Sequence, residues 1–116
     1  MSDDPRSTMI QDGNIMRIEN ALVEETFCFN DSSGYIIVSY SVPGENNTSF
    51  IEYIRLNFSR NTVIINSFGQ NVCPCCLQKG MWVNVIFSSR MTRSIPPQSG
   101  ALLIVVKRGI QTPSSV

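Results

Sequence analysis

The sequence predicts a single all-β domain, a small barrel or compact sandwich with an extended N-terminal arm, and three observations carry that prediction. Apolar residues alternate with period two in several segments, as they do where strand side chains point to opposite faces. Clusters of Gly, Pro, Asn and Ser separate those segments at short spacing, as turns do. Charged residues make up only 16 % of the 116 positions, so Asn, Ser and Thr supply much of the polar surface. An average soluble domain carries roughly 25 % charge. This length supports one core and not two.

Taken in order, residues 1–14 read as a flexible arm, and Met9 and Ile10, with Ile15 just beyond it, are its candidate contacts with a neighbouring subunit. The arm shows no apolar stretch of the secretory type. Residues 15–109 form the predicted barrel or sandwich domain. Its first segment, 15–26, places Ile15, Ile18 and Leu22 at helical spacing, which leaves a short helix as an alternative. Asp12-Gly13, a two-residue hairpin signal between apolar runs, favours a strand.

The next segments are plainer. "GYIIVSYSV" (34–42) sets Ile36, Val38, Tyr40 and Val42 on one face. "TSFIEYIRLNFS" (48–59) groups Phe50, Ile54, Leu56 and Phe58, with Glu52 as the exception. "TVIINSF" (62–68) follows, then "MWVNVIFS" (81–88) with Met81, Val83, Val85 and Phe87 in register. "ALLIVVK" (101–107) is apolar on both faces, as a central or covered strand would be. Residues 110–116 read as a loose C-terminal tail. The longest apolar run, 101–106, is too short for a membrane-spanning helix.

The stretch "KGMWVNVIFSSRMTRSIPPQSGALLIVVK" (79–107) resembles the closing segment of small OB-like β-barrel domains in Firmicutes proteins. Gly80, Val83 and Val85 match a G-x-x-V-x-V strand of that group. Ser94, Pro96, Pro97, Gln98 and Ala101 match the loop and the start of its last strand. The resemblance covers about the second half of the chain and implies a five- or six-stranded OB-like barrel, with no catalytic residues to carry over. A double proline is consistent with it, since it forces an extended path that cannot donate hydrogen bonds.

The formal net charge is zero, but its distribution is lopsided. All nine acids lie between Asp3 and Glu52 with only Arg6 and Arg17 among them, giving −7 for residues 1–52. Residues 53–116 carry seven bases and no acid. Either the halves interleave and neutralise each other, or the molecule has an acidic and a basic pole that stack head to tail. Nucleic acid is not expected as a partner, because the bases are scattered and the total is not basic.

Three of the four cysteines, Cys73, Cys75 and Cys76, crowd into "CPCC", with Cys28 far upstream. A zinc site normally uses two C-x-x-C-like knuckles, and a lone Cys28 against an adjacent pair fits poorly, so no metal or other cofactor is expected. Cys73 and Cys76 have redox-motif spacing, but they sit in a loop rather than at a helix N-terminus. Direct bonding of Cys75 to Cys76 is strained, which leaves Cys28 to one of them and Cys73 to the other or to a neighbouring subunit. Thiols without a visible signal suit synthesis in a reducing cytoplasm and later oxidation, as on a spore or cell surface.

Catalysis finds little support. The chain has no histidine, which removes Ser-His-Asp and Cys-His arrangements. Its glycines are isolated in turns, without a phosphate-cradling loop. The expected function is therefore a non-enzymatic structural subunit, coat- or fibre-like, that assembles with copies of itself through its arm and is cross-linked by disulfides. The rival is a small monomeric ligand-binding OB-like barrel using its aromatics and Arg90 and Arg93 in the "SSRMTRS" loop.

Overall fold

The computed structural model describes residues 4–108; the predicted tail 110–116 lies outside the described residues. Among the described residues seven strands form: β1 (Met9–Asp12), β2 (Ile15–Asn30), β3 (Ser33–Pro43), β4 (Ser49–Phe58), β5 (Val63–Asn66), β6 (Trp82–Ser88) and β7 (Gln98–Arg108). A single 3₁₀ turn spans Pro74–Cys76, and no α-helix occurs among the described residues. The helix alternative for 15–26 is thereby set aside.

Five strands close into a ring. β2 pairs antiparallel with β3, and β3 with β4. β4 then pairs in parallel with β7, β7 antiparallel with β6, and β6 returns to β2. This is OB-like connectivity, a five-stranded Greek-key barrel. β1 and β5 are additions, hydrogen bonded to β2 and β7 respectively.

Closure depends on the 16-residue β2, which serves two partners. Its first half pairs with β6 and its second half with β3. Register shifts between Ile18 and Ala21, and between Val23 and Glu25, bend it from one to the other. Asn20 takes a left-handed φ of 65° inside the first shift, a conformation Asn tolerates better than most residues. Its backbone N–H donates to Asn84 Oδ1 at 2.8 Å, so the freed donor is satisfied. A matching irregularity in β7 pairs Ile86 with Leu103 but Phe87 with Ala101, leaving Leu102 outside the ladder. For that reason Ala101 and Ile104 both face inward while Leu102 is exposed.

The core is the inner face of this ring. Ile18, Val23, Ile36, Val38, Ile54, Leu56, Val83, Val85, Phe87 and Ile104 are wholly buried in it. The alternation predicted for 34–42, 48–59 and 81–88 is therefore the observed one, with Phe50 as the difference. Phe50 pairs with Val42 near the end of the β3–β4 ladder, and its side chain is 59 % exposed.

Tyr40 lies in the core with a pKa raised above its ordinary value near 10, chiefly by burial and further by the Glu52 charge. The folded state thus favours the neutral phenol. That contribution to stability is intact below pH ~10, where the unfolded tyrosine would ionise. It is lost as pH rises through the higher value of the folded state. Glu52→Gln is expected to bring Tyr40 ionisation to lower pH, read as phenolate absorbance, while leaving the fold's neutral-pH stability nearly unchanged.

The N-terminal segment does not extend away as expected. Met9–Asp12 pair with Ile15–Ile18 across a turn at Gly13 and Asn14, one residue beyond the predicted Asp12-Gly13 position. Gly13 has φ +66°, which suits the first central residue of a II′ hairpin turn. Ahead of β1, the Ser7 carbonyl accepts from Ser41 N–H at 3.0 Å, on the part of β3 that β2 has left. The physical reason is that the bend in β2 opens unpaired backbone groups, and residues 4–8 are close enough to satisfy them.

Candidate interaction surfaces

The cysteine loop follows β5. Val72 N–H donates to Ile64 O, and Leu77 inserts into the core, so both sides of the "CPCC" turn are anchored to the barrel. Cys75 forms a disulfide with Cys28 near the end of β2, with a Cα–Cα separation of 5.6 Å. The chain thus uses one of the adjacent cysteines to reach Cys28, one of the pairings left open by the sequence. Cys73 and Cys76 are free and exposed. Among the described residues, no cluster of three or more Cys, Asp or Glu side chains is arranged to hold a metal ion.

On the outer face of β2–β4, the aromatic side chains form a patch. Phe27 lies opposite Tyr35 in the ladder and stacks with it, ring centroids 5.7 Å apart. Phe29 meets Phe27 edge-on at 4.9 Å. The Arg55 guanidinium lies 3.8 Å over the Tyr35 ring, a cation–π contact, and its Nε donates to Asn57 Oδ1 at 3.0 Å. Tyr35 OH donates to Glu25 at 3.3 Å. Sequence alternation places Tyr35 opposite to the core-facing Ile36, but it does not single out Phe27, Phe29 or Arg55. Their signal is the alternation Phe27-Cys28-Phe29, which meets Tyr35 only once β2 and β3 are in register.

Arg90 and Arg93 occupy the exposed β6–β7 loop. That loop returns to the barrel through Arg55 N–H, which donates to Pro97 O at 2.9 Å. Of the arm residues, Met9 is half-buried against the core, Ile10 is exposed, and Ile15 is half-buried opposite Asp12 and Ser88. Arg6 Nε donates to Ser39 Oγ at 2.8 Å, and Ser39 Oγ donates to Glu24 Oε2 at 2.7 Å. Together they hold residues 4–8 over a fully buried Ser39.

Other apolar side chains stand out on several sides. Phe68 beyond β5 is 86 % exposed and Ile95 in the β6–β7 loop is 100 % exposed. Val63, Leu102, Ile10 and Met91 add to them on β5, β7, β1 and the same loop. Charge is segregated as well. The segregation runs along the chain: the acids up to Glu52 fall on β1, β2, β4 and their connections, the later bases fall on β4, β7 and the loops, and β3, β5 and β6 carry no charge. Ion pairs among the described residues, Arg6 with Asp4 and Glu24 and Arg17 with Glu19, all lie within the acidic half. An open depression of about 350 Å³ between Asp31, Arg60, Val63 and Pro74 adjoins the disulfide loop.

The class defined by this fold is a five-stranded OB-like barrel with two added strands and an internal disulfide. Comparison with protein-family models, curated proteins and solved structures gives no match in any of the three.

Proposed function

We propose that this chain is a non-catalytic structural subunit that assembles with copies of itself. The observation that supports it most is the contiguous pair of exposed rings, Phe27 edge-on against Phe29, with further exposed apolar side chains such as Phe68 and Ile95 elsewhere. Apolar side chains exposed singly are ordinary, whereas contiguous ones mark surfaces that bind other molecules. The concentration of acids before Tyr53 and of bases after it supports a second copy as the occupant, since the two sets of charges are complementary. Residues 4–8 supply an exchangeable element. The same bonds to Ser41 and Ser39, made from a neighbour's arm, would chain barrels together as a coat or fibre.

Sedimentation velocity and electron microscopy across a concentration series test this. Wild-type protein is expected to form species well above the 12.9 kDa chain mass. The combined variant Phe29→Ser, Phe68→Ser and Ile95→Ser is expected to remain monomeric with an unchanged melting temperature. Deleting residues 1–8 should shorten the assemblies if the arm is exchanged. Wild type that stays monomeric at every concentration and salt level would overturn the reading.

The Phe27–Phe29–Tyr35–Arg55 patch favours a second reading, a monomeric ligand-binding barrel. Rings flanked by Asn57, Glu25 and Arg55 combine a stacking face with hydrogen-bonding groups, as oligosaccharide sites do. A monomer whose Phe27 and Tyr35 ring resonances shift on adding short oligosaccharides would establish it in place of the first.

A further inference from the structure

We propose that Cys73 and Cys76 form a surface dithiol that closes to a second internal disulfide by exchange with a small-molecule disulfide. Three observations place the two sulfurs together. Cys73 caps the 3₁₀ turn and Cys76 ends it, with Cys76 N–H donating to Cys73 O at 2.9 Å. A four-residue turn closed this way keeps its end Cα atoms within about 7 Å, inside or near the span a disulfide bridges. Pro74 at the first turn position fixes the backbone in that shape. The intervening Cys75 is turned toward Cys28 and consumed, which leaves the outer two thiols to each other.

The neighbouring Cys73 side chain pushes the Cys76 thiol pKa up. At the two ends of one turn, Cys76 is thus the thiol harder to ionise, which makes Cys73 the attacking sulfur and Cys76 the resolving one. Both are exposed, so a soluble disulfide can reach them.

The chemistry balances with a low-molecular-weight disulfide, RSSR, as oxidant. The Cys73 thiolate attacks one sulfur, breaking the S–S bond, and one RS⁻ leaves and takes up the proton that Cys73 lost. Cys76, on losing its proton, attacks the Cys73 sulfur of the mixed disulfide and expels the second RS⁻, which takes that proton. The chain loses two protons and two electrons, and one RSSR becomes two RSH. The reverse reaction makes the closed pair an oxidant for dithiols. The same two sulfurs would also bind a trivalent thiophilic group such as an arsenical. The site is independent of the Cys28–Cys75 bond and of assembly.

The test uses the full chain with oxidised glutathione, an acid quench, and intact mass and thiol titration under denaturing, non-reducing conditions. Wild type is expected to go from two titratable thiols to none, two hydrogens lighter, with no glutathione retained and Cys28 still bonded to Cys75 in the peptide map. Cys76→Ser should stop at a stable mixed disulfide on Cys73. Phenylarsine oxide should bind wild type one to one and neither Cys73→Ser nor Cys76→Ser. Glutathione adducts persisting on wild type, disulfide-linked dimers, unreacted thiols or release of Cys28 would each overturn the proposal. Both cysteines are on the surface, so the single variants should fold, and their circular dichroism melts check it.

Discussion

Gly34→Ala is expected to be among the most damaging single substitutions in this barrel. An added Cβ at Gly34 would overlap the Phe27 carbonyl oxygen and stand 2.8 Å from Phe58 Cζ and 2.9 Å from Cys28 Cα. Two of these three neighbours are backbone atoms of the paired strand β2, which cannot rotate away as a side chain can. Relief requires β2 and β3 to separate where Cys28 must reach Cys75. Overpacking of this kind costs about 3 kcal/mol or more, and we expect the melting temperature to fall by on the order of 10 °C. Gly100→Ala is the control. Nothing lies within 4 Å of its Cβ position, and its φ is not left-handed. A change within about 0.5 kcal/mol is expected there. Similar melting temperatures for the two variants would contradict the close approach of β2 and β3.

The second large effect belongs to the Cys28–Cys75 disulfide. It joins residues 47 apart in sequence. Closing a loop of that length restricts the unfolded chain by about 4 kcal/mol on a chain-entropy basis. The paired substitution Cys28→Ala with Cys75→Ala is expected to lower the unfolding free energy by about that amount. Reduction of the wild type should do the same, and the double variant should be insensitive to reductant in a denaturant titration. Equal stability with and without reductant in the wild type would show that the bond contributes nothing. The turn would still be tethered through Leu77, which is buried, and Val72. Local loosening of residues 71–80 is therefore expected to precede global unfolding.

Much of the barrel is legible in the chain because strand burial follows a local rule. Val83, Val85 and Phe87 alternate with Asn84, Ile86 and Ser88, and the buried face is the one that alternation indicates. Ile36, Val38 and Tyr40 do the same in β3. The apolar run 101–107 is a central strand with β5 and β6 on its edges, yet its outer face is only partly covered, and Leu102 stands exposed there. What escapes the local rule is every departure from straightness. The shift at Asn20 and the extra residue at Leu102 change which side chains face inward, and neither announces itself in composition. The arm is the clearest case. A polar N-terminal stretch reads as loose, yet residues 4–8 are held because the bend in β2 leaves Ser41 N–H and the Ser39 hydroxyl in need of partners.

The interaction surfaces divide in the same way. The four cysteines narrow their own pairing, since neighbouring residues 75 and 76 cannot comfortably bond each other. The choice of Cys75 for Cys28, with Cys73 and Cys76 left side by side, is set by the 3₁₀ turn and by how the barrel carries the end of β2 past it. Likewise the aromatic patch needs Phe27, Tyr35 and Arg55 from three strands, brought together by register alone. By itself the sequence determined the all-β class, the core-facing residues of the regular strands and the uneven distribution of charge. Those follow from side-chain polarity and a two-residue period, which act between neighbours along the chain. Ring closure, the docking of residues 4–8, the disulfide partner and the outer patch were decided only by tertiary structure. Each depends on which distant backbone groups and side chains meet, and that is fixed when a bent β2 pairs with two strands at once.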